Sequence, residues 1–480
     1  MRNNTLLDKL SDAIGRATRF VILSCVPTVV AAAVVTVNSS SDASAQPRSL
    51  PALVVEQTTL SNGLKLILHV DRTTPMVSVN IWYHVGSKDE PLGRNGFAHL
   101  FEHLMFQGSK HVGEDQFFVH LEQAGASDFN GSTSFDRTNY YATVPSNQLE
   151  LALWLESDRM GFLLDHVNQD TFENQRSVVL NERRQNYVDA PYGMVSQYIH
   201  EHLYPSNHPY HRLTIGSPSD LAAASLADVQ AFYKTHYLPN NATLVLAGDI
   251  DPSDAKQLVE KYFGSIPPAK LPKANTSPTP VRLSGQTTIN MEASVEFARV
   301  YIAFPTPPFF AIGDADLDGL SLILSEGQTS RLHKRLVYDL QIAKDVSARQ
   351  ESSQLASVFH IVATASAKGN TEALLKAIDE ELDQLRALPP TEEEVSRVKA
   401  NLESTLIFAI EQVGERADMF NTYAQLVGSP DYFSRDVERY RSITSESLHR
   451  ASRTYLSSAN RIVVKVEPNP GAPRSGRIVR

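Results

Sequence analysis

Hydrophobic and polar residues alternate along two distant stretches of the chain. Residues 76–82 (MVSVNIW) alternate with the period of two that is typical of a β-strand, and they lead to a helical pattern. Residues 298–304 (ARVYIAF) alternate likewise and lead to a helical pattern over residues 316–323. The module ends also correspond, because residues 232–250 and 451–468 each predict a helix end followed by a strand. This repetition predicts a duplicated α+β domain.

The length of the chain and a proline-rich segment predict how the two modules are divided. A chain of 480 residues is longer than one hydrophobic core usually supports. Residues 266–280 (IPPAKLPKANTSPTP) are weakly patterned, so we place a linker at residues 266–285. We therefore expect an N-terminal domain over residues 46–265 and a related C-terminal domain over residues 286–480.

The first 45 residues have the pattern of a secretory signal peptide. Basic residues precede an apolar run at residues 20–37, and Ala43, Ser44 and Ala45 form an A-x-A cleavage site. We expect cleavage after Ala45, with an uncleaved membrane anchor as the alternative. Cys25, the only cysteine, lies in this leader, so the mature chain has no thiol for disulfides, nucleophilic catalysis or zinc ligation. These features predict an exported protein of a bacterial periplasm.

The overall composition narrows the function only slightly. With 42% hydrophobic and 20% charged residues, it is ordinary for a globular protein. The formal net charge of −10 argues against a nucleic-acid binder, because phosphate binding needs a basic surface. After the leader, no stretch is long and apolar enough to cross a membrane.

A short motif, His99-Leu100-Phe101-Glu102-His103, carries the clearest chemical signal. It lies in a predicted helix over residues 95–108, with Asn95 as a possible N-cap and Gly108 as a possible stop. At about 100° per residue, the two histidines and Glu102 share one arc of the helix. Two imidazoles at i and i+4 with a neighbouring carboxylate suit zinc hydrolysis, and H-x-x-E-H is the inverted zinc-peptidase signature. A pair of core or surface histidines is the alternative.

Glu182 extends this motif, and a family resemblance follows from it. It lies 79 residues after His103 in a predicted helix over residues 171–184. The order of H-x-x-E-H, then V-V-x-x-E, then Tyr192-Gly193 resembles the pitrilysin/insulinase family of zinc peptidases, of the two-domain type that includes the mitochondrial processing peptidase subunits. The family's further matching segments are residues 130–140, residues 208–210, and Gly327 with Ser330, Arg331 and Leu332.

The resemblance implies a zinc-dependent metalloendopeptidase that acts on peptides or unfolded segments. It implies that His99, His103 and Glu182 hold Zn2+ and that Glu102 is the general base for a zinc-activated water. It also implies two homologous domains, each a mainly antiparallel sheet packed with helices, enclosing a substrate chamber. An edge strand would bind the peptide by backbone hydrogen bonds, through Asn130, Gly131, Ser132 and Thr133. The alternative is a non-catalytic core or scaffold subunit of an assembly, which has no need of all four metal-site residues.

The sequence departs from the family pattern at two places. A second glutamate commonly lies seven residues before the ligand glutamate, and here Gln175 takes that supporting position. Single-chain members also supply an arginine and a tyrosine soon after the S-R-L segment, where this chain has Val337 and Lys344. We therefore predict that the chain is the zinc-bearing subunit of a heterodimer whose zinc-less partner supplies the Arg/Tyr pair, with a homodimer as the alternative.

Two further patterns have less specific interpretations. Residues 314–319 (DADLDG) begin like a calcium loop, but Ser325 stands where that loop needs a glutamate, so a helix N-terminus is predicted. Arg183 and Arg184, next to Glu182, are predicted to form ion pairs on a solvated face, with a role in holding substrate as the alternative.

Overall fold

Two six-stranded β-sheets, one in each half of the chain, are the central elements of the structure, a computed structural model that describes residues 50–273 and 281–479. The predicted signal peptide lies outside the described residues, as do residues 274–280 of the predicted linker. The linker residues on either side of that gap have no helix or strand before residue 287. The domain boundaries remain a prediction.

The N-terminal sheet has the strand order β1-β2-β6-β3-β5-β4. Its β2–β6 pair is parallel and its other pairs are antiparallel. The strands are β1 (Glu56–Thr59), β2 (Lys65–Val70), β3 (Met76–Tyr83), β4 (Ser127–Thr133), β5 (Thr138–Pro145) and β6 (Ala242–Gly248).

The C-terminal sheet has the corresponding order β12-β7-β11-β8-β10-β9, again with one parallel pair, β7–β11. Its strands are β7 (Thr287–Ala293), β8 (Arg299–Thr306), β9 (Ala343–Glu351), β10 (Ser357–Ala365), β11 (Ile462–Pro468) and β12 (Arg477–Ile478). Five strands have the same order in both halves, and only the outer strand differs, since β1 is the first strand of its half and β12 the last of the other. This shared order confirms the predicted duplicated α+β fold with mainly antiparallel sheets.

Helices pack on both sheets. In the N-terminal half they are α1 (Phe97–Leu104), α2 (Gln116–Gln123), α3 (Leu149–Phe162), α4 (Gln169–Arg183), α5 (Val195–Leu203), α6 (Pro218–Ala223), α7 (Leu226–His236) and α8 (Pro252–Phe263). In the C-terminal half they are α9 (Asp314–Ser325), α10 (Thr371–Ala387), α11 (Glu392–Ala409), α12 (Val413–Leu426), α13 (Phe433–Arg441) and α14 (Ser445–Tyr455). Helix α9 begins at Asp314, which confirms the predicted helix N-terminus. None of the described helices combines the length and apolar content needed to cross a membrane.

Each half supplies a helix that covers the free face of the other half's sheet. Helix α12 places Ala417 and Phe420 against Ile67 and Val245 of the N-terminal sheet. Helix α5 packs its apolar side on strands β8 and β11 of the C-terminal sheet. In β3 the polar residues Ser78 and Asn80 alternate with apolar residues, yet they are buried too. They are buried because α12 covers the face of the sheet on which they lie. Because both faces of each sheet are covered, the two halves share their cores.

Candidate metal centre

Helix α1 places the motif residues at the edge of the N-terminal core. The side chains of Phe97, Leu100, Phe101 and Leu104 are buried in that core. Their spacing is that of one apolar helical face, so the remaining positions share the other face. His99, Glu102 and His103 lie on that other face and are only partly buried.

The N-terminus of α1 differs from the prediction, because Asn95 is not its N-cap. The N-cap is Gly96, which has a left-handed backbone (φ 104°) and no side chain to accept a hydrogen bond. Glu90 takes that role instead, since its carboxylate accepts from the backbone N–H groups of Gly96 at 3.0 Å and Ala98 at 2.9 Å. The Asn95 amide donates to the same carboxylate at 2.9 Å. Helix α1 ends at Leu104, so the predicted stop at residue 108 was also placed too late.

Helix α4 carries Glu182 in its last turn. Its N-cap Asn168 accepts from the backbone N–H groups of Asp170 and Thr171, which fixes the start of the helix. After Arg183 the chain continues directly into a π-helical segment, Arg184–Val188. π-Helical turns are frequent at functional sites, so this segment makes the end of α4 a candidate functional region.

The three predicted ligands lie together. The Nε2 atom of His103 is 3.3 Å from a carboxylate oxygen of Glu182, and Nε2 of His99 is 3.6 Å from the same oxygen. One ligand atom from each of the three residues lies within 4.8 Å of the others. The two imidazole rings are nearly perpendicular, with centroids 4.8 Å apart. The structure thus brings together residues from two helices that are far apart in the sequence.

The donor set fits a zinc ion. Ligand atoms about 2.0–2.1 Å from a tetrahedral zinc lie about 3.3–3.4 Å from each other, which is close to the spacing of these atoms. Two imidazoles with one carboxylate is a ligand set of catalytic zinc sites. The Nδ1 atom of His99 is buried, and the described residues offer it no hydrogen-bond partner. That burial leaves Nε2 as the ring atom that faces Glu182.

Burial and mutual contact shift the pKa of each of the three residues in the cluster. Burial, followed by the neighbouring His103, lowers the pKa of His99 and so favours its neutral imidazole. Burial raises the pKa of Glu182, but the adjacent imidazoles outweigh it, and the net pKa is lowered. Burial opposes a charge on His103, yet interaction with Glu182 brings its net pKa above the usual value.

The predicted substrate-binding strand lies at the edge of the N-terminal sheet. Strand β4 pairs only with β5, and its other side is open. The backbone N–H of Ser134 donates to the carbonyl of Arg137 at 2.9 Å. Because antiparallel pairs alternate, the backbone groups of Thr133 and Gly131 point away from β5, towards the open side. The N–H of Gly131 is already bonded to the side-chain oxygen of Asn130 at 2.9 Å.

The structure shows what surrounds Gln175, Val337 and Lys344, the three positions that depart from the family pattern. Gln175 is buried on α4, two turns before Glu182, which agrees with its predicted place. Val337 packs against the C-terminal core, and the Lys344 ammonium lies 3.6 Å from the ring centroid of Phe297. Neither Val337 nor Lys344 has the hydrogen-bonding groups of an arginine or a tyrosine.

The prediction for Arg183 was wrong, although Arg184 is exposed as predicted. The Arg183 side chain is buried and donates to the Gly216 carbonyl at 3.1 Å and to the Gln197 amide oxygen at 2.7 Å. The sequence carries no signal of this burial, because the contacting residues come from other elements. Arg184 lies 3.9 Å from Asp189 on the surface.

The chain belongs to the insulinase family of peptidases, family M16. The family's own model, described as insulinase (peptidase family M16), matches residues 65–215, and the model described as the peptidase M16 inactive domain matches residues 223–402. The predicted family resemblance is thereby confirmed, and with it a family of zinc peptidases.

Relatives agree with this assignment over nearly the whole chain. The zinc protease PqqE of Helicobacter pylori is 29% identical over 86% of this chain and 93% of that protein. The mitochondrial-processing peptidase subunit beta of Blastocladiella emersonii is 24% identical over 92% of this chain and 96% of that protein. Among solved structures, a protease from Helicobacter pylori has a TM-score of 0.80 and 28% identity, covering 87% of this chain and all of that chain.

Proposed function

We propose that the chain is a zinc-dependent metalloendopeptidase that hydrolyses peptides or unfolded protein segments. The observation that supports this most directly is the convergence of two imidazole nitrogens and one carboxylate oxygen, 3.3 and 3.6 Å apart, from helices α1 and α4. Relatives that bear the name zinc protease add to that support. A scaffold subunit would have no use for this arrangement.

The residues of the site have separate roles in this proposal. His99, His103 and Glu182 hold the zinc ion. When bound, the ion supplies an acidified water and an electrophile for the peptide carbonyl. Glu102 lies on the same face of α1 as both histidines and accepts the proton of the attacking water. The same carboxyl then donates a proton to the departing amine, so the proton count returns to its starting value. Gln175 supports the end of α4 from within the core.

We assign substrate binding to strand β4. A peptide that adds to the open side of the sheet would bond to backbone groups of Thr133 and Gly131. The side chains of Asn130 and Ser132 are two residues apart, so they lie on the same face of β4 and shape one side of the groove. Before the peptide can use the Gly131 N–H, the Asn130 side chain has to leave it. Backbone pairing of this kind binds many sequences, which suits unfolded segments.

We further propose that the chain acts in the periplasm as the zinc-bearing subunit of a heterodimer. The leader sequence supports export. The surroundings of Val337 and Lys344 support the need for a partner, since neither residue supplies the two polar groups that bind substrate in single-chain members. A zinc-less relative would contribute them.

The first experiment is elemental analysis of the purified mature chain and its Glu182→Ala variant. We expect about one equivalent of zinc in the native chain and its loss in the variant, because two imidazoles alone hold zinc weakly. Glu173→Ala is the matched control, since Glu173 lies on the same helix and its side chain is 43% exposed. Unchanged zinc content in Glu182→Ala would refute the ligand assignment.

The second experiment tests the partner. The tagged mature chain is captured from its source, and its activity on unfolded peptides is compared with that of the chain purified alone. We expect a related zinc-less chain to co-purify and to raise the activity. Full activity of the isolated chain would exclude the heterodimer while leaving the zinc peptidase intact.

A further inference from the structure

The ligands of the proposed site belong to two helices that are separate in sequence, so their spacing depends on how α1 and α4 are held together. Helix α1 supplies His99 and His103, and α4 supplies Glu182. A shift of one helix by an ångström would change the distances of 3.3 and 3.6 Å on which zinc binding rests. Some contact near the ligands must therefore fix the two helices against each other.

Arg183 lies next to the ligand Glu182 and points in another direction, because successive helical residues are about 100° apart. Its guanidinium is buried and makes two hydrogen bonds. One goes to the backbone carbonyl of Gly216 at 3.1 Å, and the other to Gln197 of helix α5 at 2.7 Å. Arg183 thus attaches the end of α4 to the loop that contains Gly216.

Gly216 in turn lies directly against Gly96, the N-cap of the histidine helix. A Cβ on Gly216 would be 2.6 Å from the Cα atom of Gly96, and a Cβ on Gly96 would be 2.8 Å from the Cα of Gly216. Both glycines have positive φ, 90° and 104°. The N–H of Ser217 also donates to the carbonyl of Asn95 at 3.4 Å, so the loop and the start of α1 are in backbone contact.

We propose that Arg183 is a positioning residue of the metal site. It acts through Gly216 and Gly96, and it holds the glutamate helix and the histidine helix at the spacing that a metal ion needs. This inference rests on the proposed function, because the ligand set is the one assigned there. Arg183 itself touches neither substrate nor metal.

The test is the zinc affinity of Arg183→Met, which keeps most of the apolar stem and removes the guanidinium. Zinc is competed with a chromophoric chelator, and the absorption of Co2+ in the same site reports the ligand geometry. We expect the Kd for zinc to rise about tenfold to a hundredfold, the range for residues that orient metal ligands. The Co2+ spectrum is expected to change, and Arg183→Lys is expected to recover part of the affinity through one hydrogen bond.

Arg184→Met is the matched control, because Arg184 is the next residue and its side chain is exposed. The Tm of each metal-free protein separates positioning from general stability. A Kd for Arg183→Met within about twofold of native, at any change in Tm, would overturn the inference. If that variant does not fold, Gln197→Leu, which removes one of the two acceptors of the Arg183 guanidinium, is measured in its place, with a loss in the same direction expected and the same contradicting result. Absence of zinc binding by the native chain would instead overturn the proposed function.

Discussion

Five strands have the same order in the two halves of this chain, but only one half carries a metal-type cluster among the described residues. In each half, the strand β3 or β8 is followed by a helix that begins after a left-handed glycine, Gly96 or Gly313. Aligned on those glycines, His99 corresponds to Asp316 in the C-terminal half. By the same register, the base and the second histidine correspond to Gly319 and Leu320.

The C-terminal half uses these positions for packing. A Cβ on Gly319 would lie 3.1 Å from Val398 of α11 and 3.0 Å from Leu448 of α14, so the helices meet where the metal cluster lies in the other half. Leu320 is buried in the core, and Asp316 accepts a hydrogen bond from Ser447 at 2.5 Å. The same scaffold is therefore stable with or without a polar centre. Function follows from a few side chains and not from the fold.

The largest expected effect is that of Glu102→Gln, which gives the N-terminal helix an amide in place of the proposed base. We expect kcat on an unfolded peptide to fall about 10²–10⁴-fold, the usual contribution of a general base, while zinc content stays the same. Activity assays with elemental analysis check both points. Glu122→Gln, on the exposed side of α2, is the control. If Glu102→Gln retains its activity, Glu102 is not the general base, and the two halves do not differ in having one.

The next largest effect concerns α12, the helix of the C-terminal half that packs on the N-terminal sheet. One carboxylate oxygen of Asp418 on α12 accepts from Asn80 at 3.2 Å, Trp82 at 3.0 Å and Asn139 at 3.2 Å. Asp418→Ala leaves these donors unpaired, so we expect the free energy of unfolding to fall by about 2–4 kcal/mol, measured by urea denaturation. Glu415→Ala on the same helix should change it by less than about 0.5 kcal/mol. Equal effects of the two variants would argue that the exchanged helix is held by its apolar contacts alone.

The sequence predicts the repeated modules well, because the alternation in β3 and β8 and the helix-to-strand endings are local patterns. It also predicts that His99, His103 and Glu182 lie together, since H-x-x-E-H and Glu182 are family signals. It does not predict the capping of α1 by Glu90 or the burial of Arg183, because both depend on contacts with distant loops. The exchange of α5 and α12 is equally hidden, since an amphipathic helix does not specify which sheet it covers.

A smaller effect is expected at Gly319, the residue of the C-terminal half that corresponds to the proposed base. In Gly319→Val the added side chain must push Val398 and Leu448 apart, so we expect a loss of about 1–3 kcal/mol in unfolding free energy. Gly285→Val is the control, because nothing lies within 4 Å of its Cβ position. Zinc content and activity should persist in the folded fraction. If Gly319→Val proves as stable as the native chain, the C-terminal helices have room there, and the contrast between a packed half and a polar half weakens.

The smallest effect compares the open edges of the two sheets. Strand β4 lies beside α1, the helix of the proposed metal site, whereas the matching edge strand β9 lies beside α9, where Gly319 and Leu320 stand in place of the base and the second histidine. Thr133→Pro removes the outward N–H that a peptide would use, and edge strands tolerate proline. Since one hydrogen bond contributes about 1 kcal/mol, we expect KM to rise about fivefold to tenfold with kcat and zinc content nearly unchanged. Thr133→Val keeps the N–H and removes only the hydroxyl, so its KM should match that of the native chain. A similar rise in both variants would assign the effect to the side chain, and peptide pairing along β4 would lose its support.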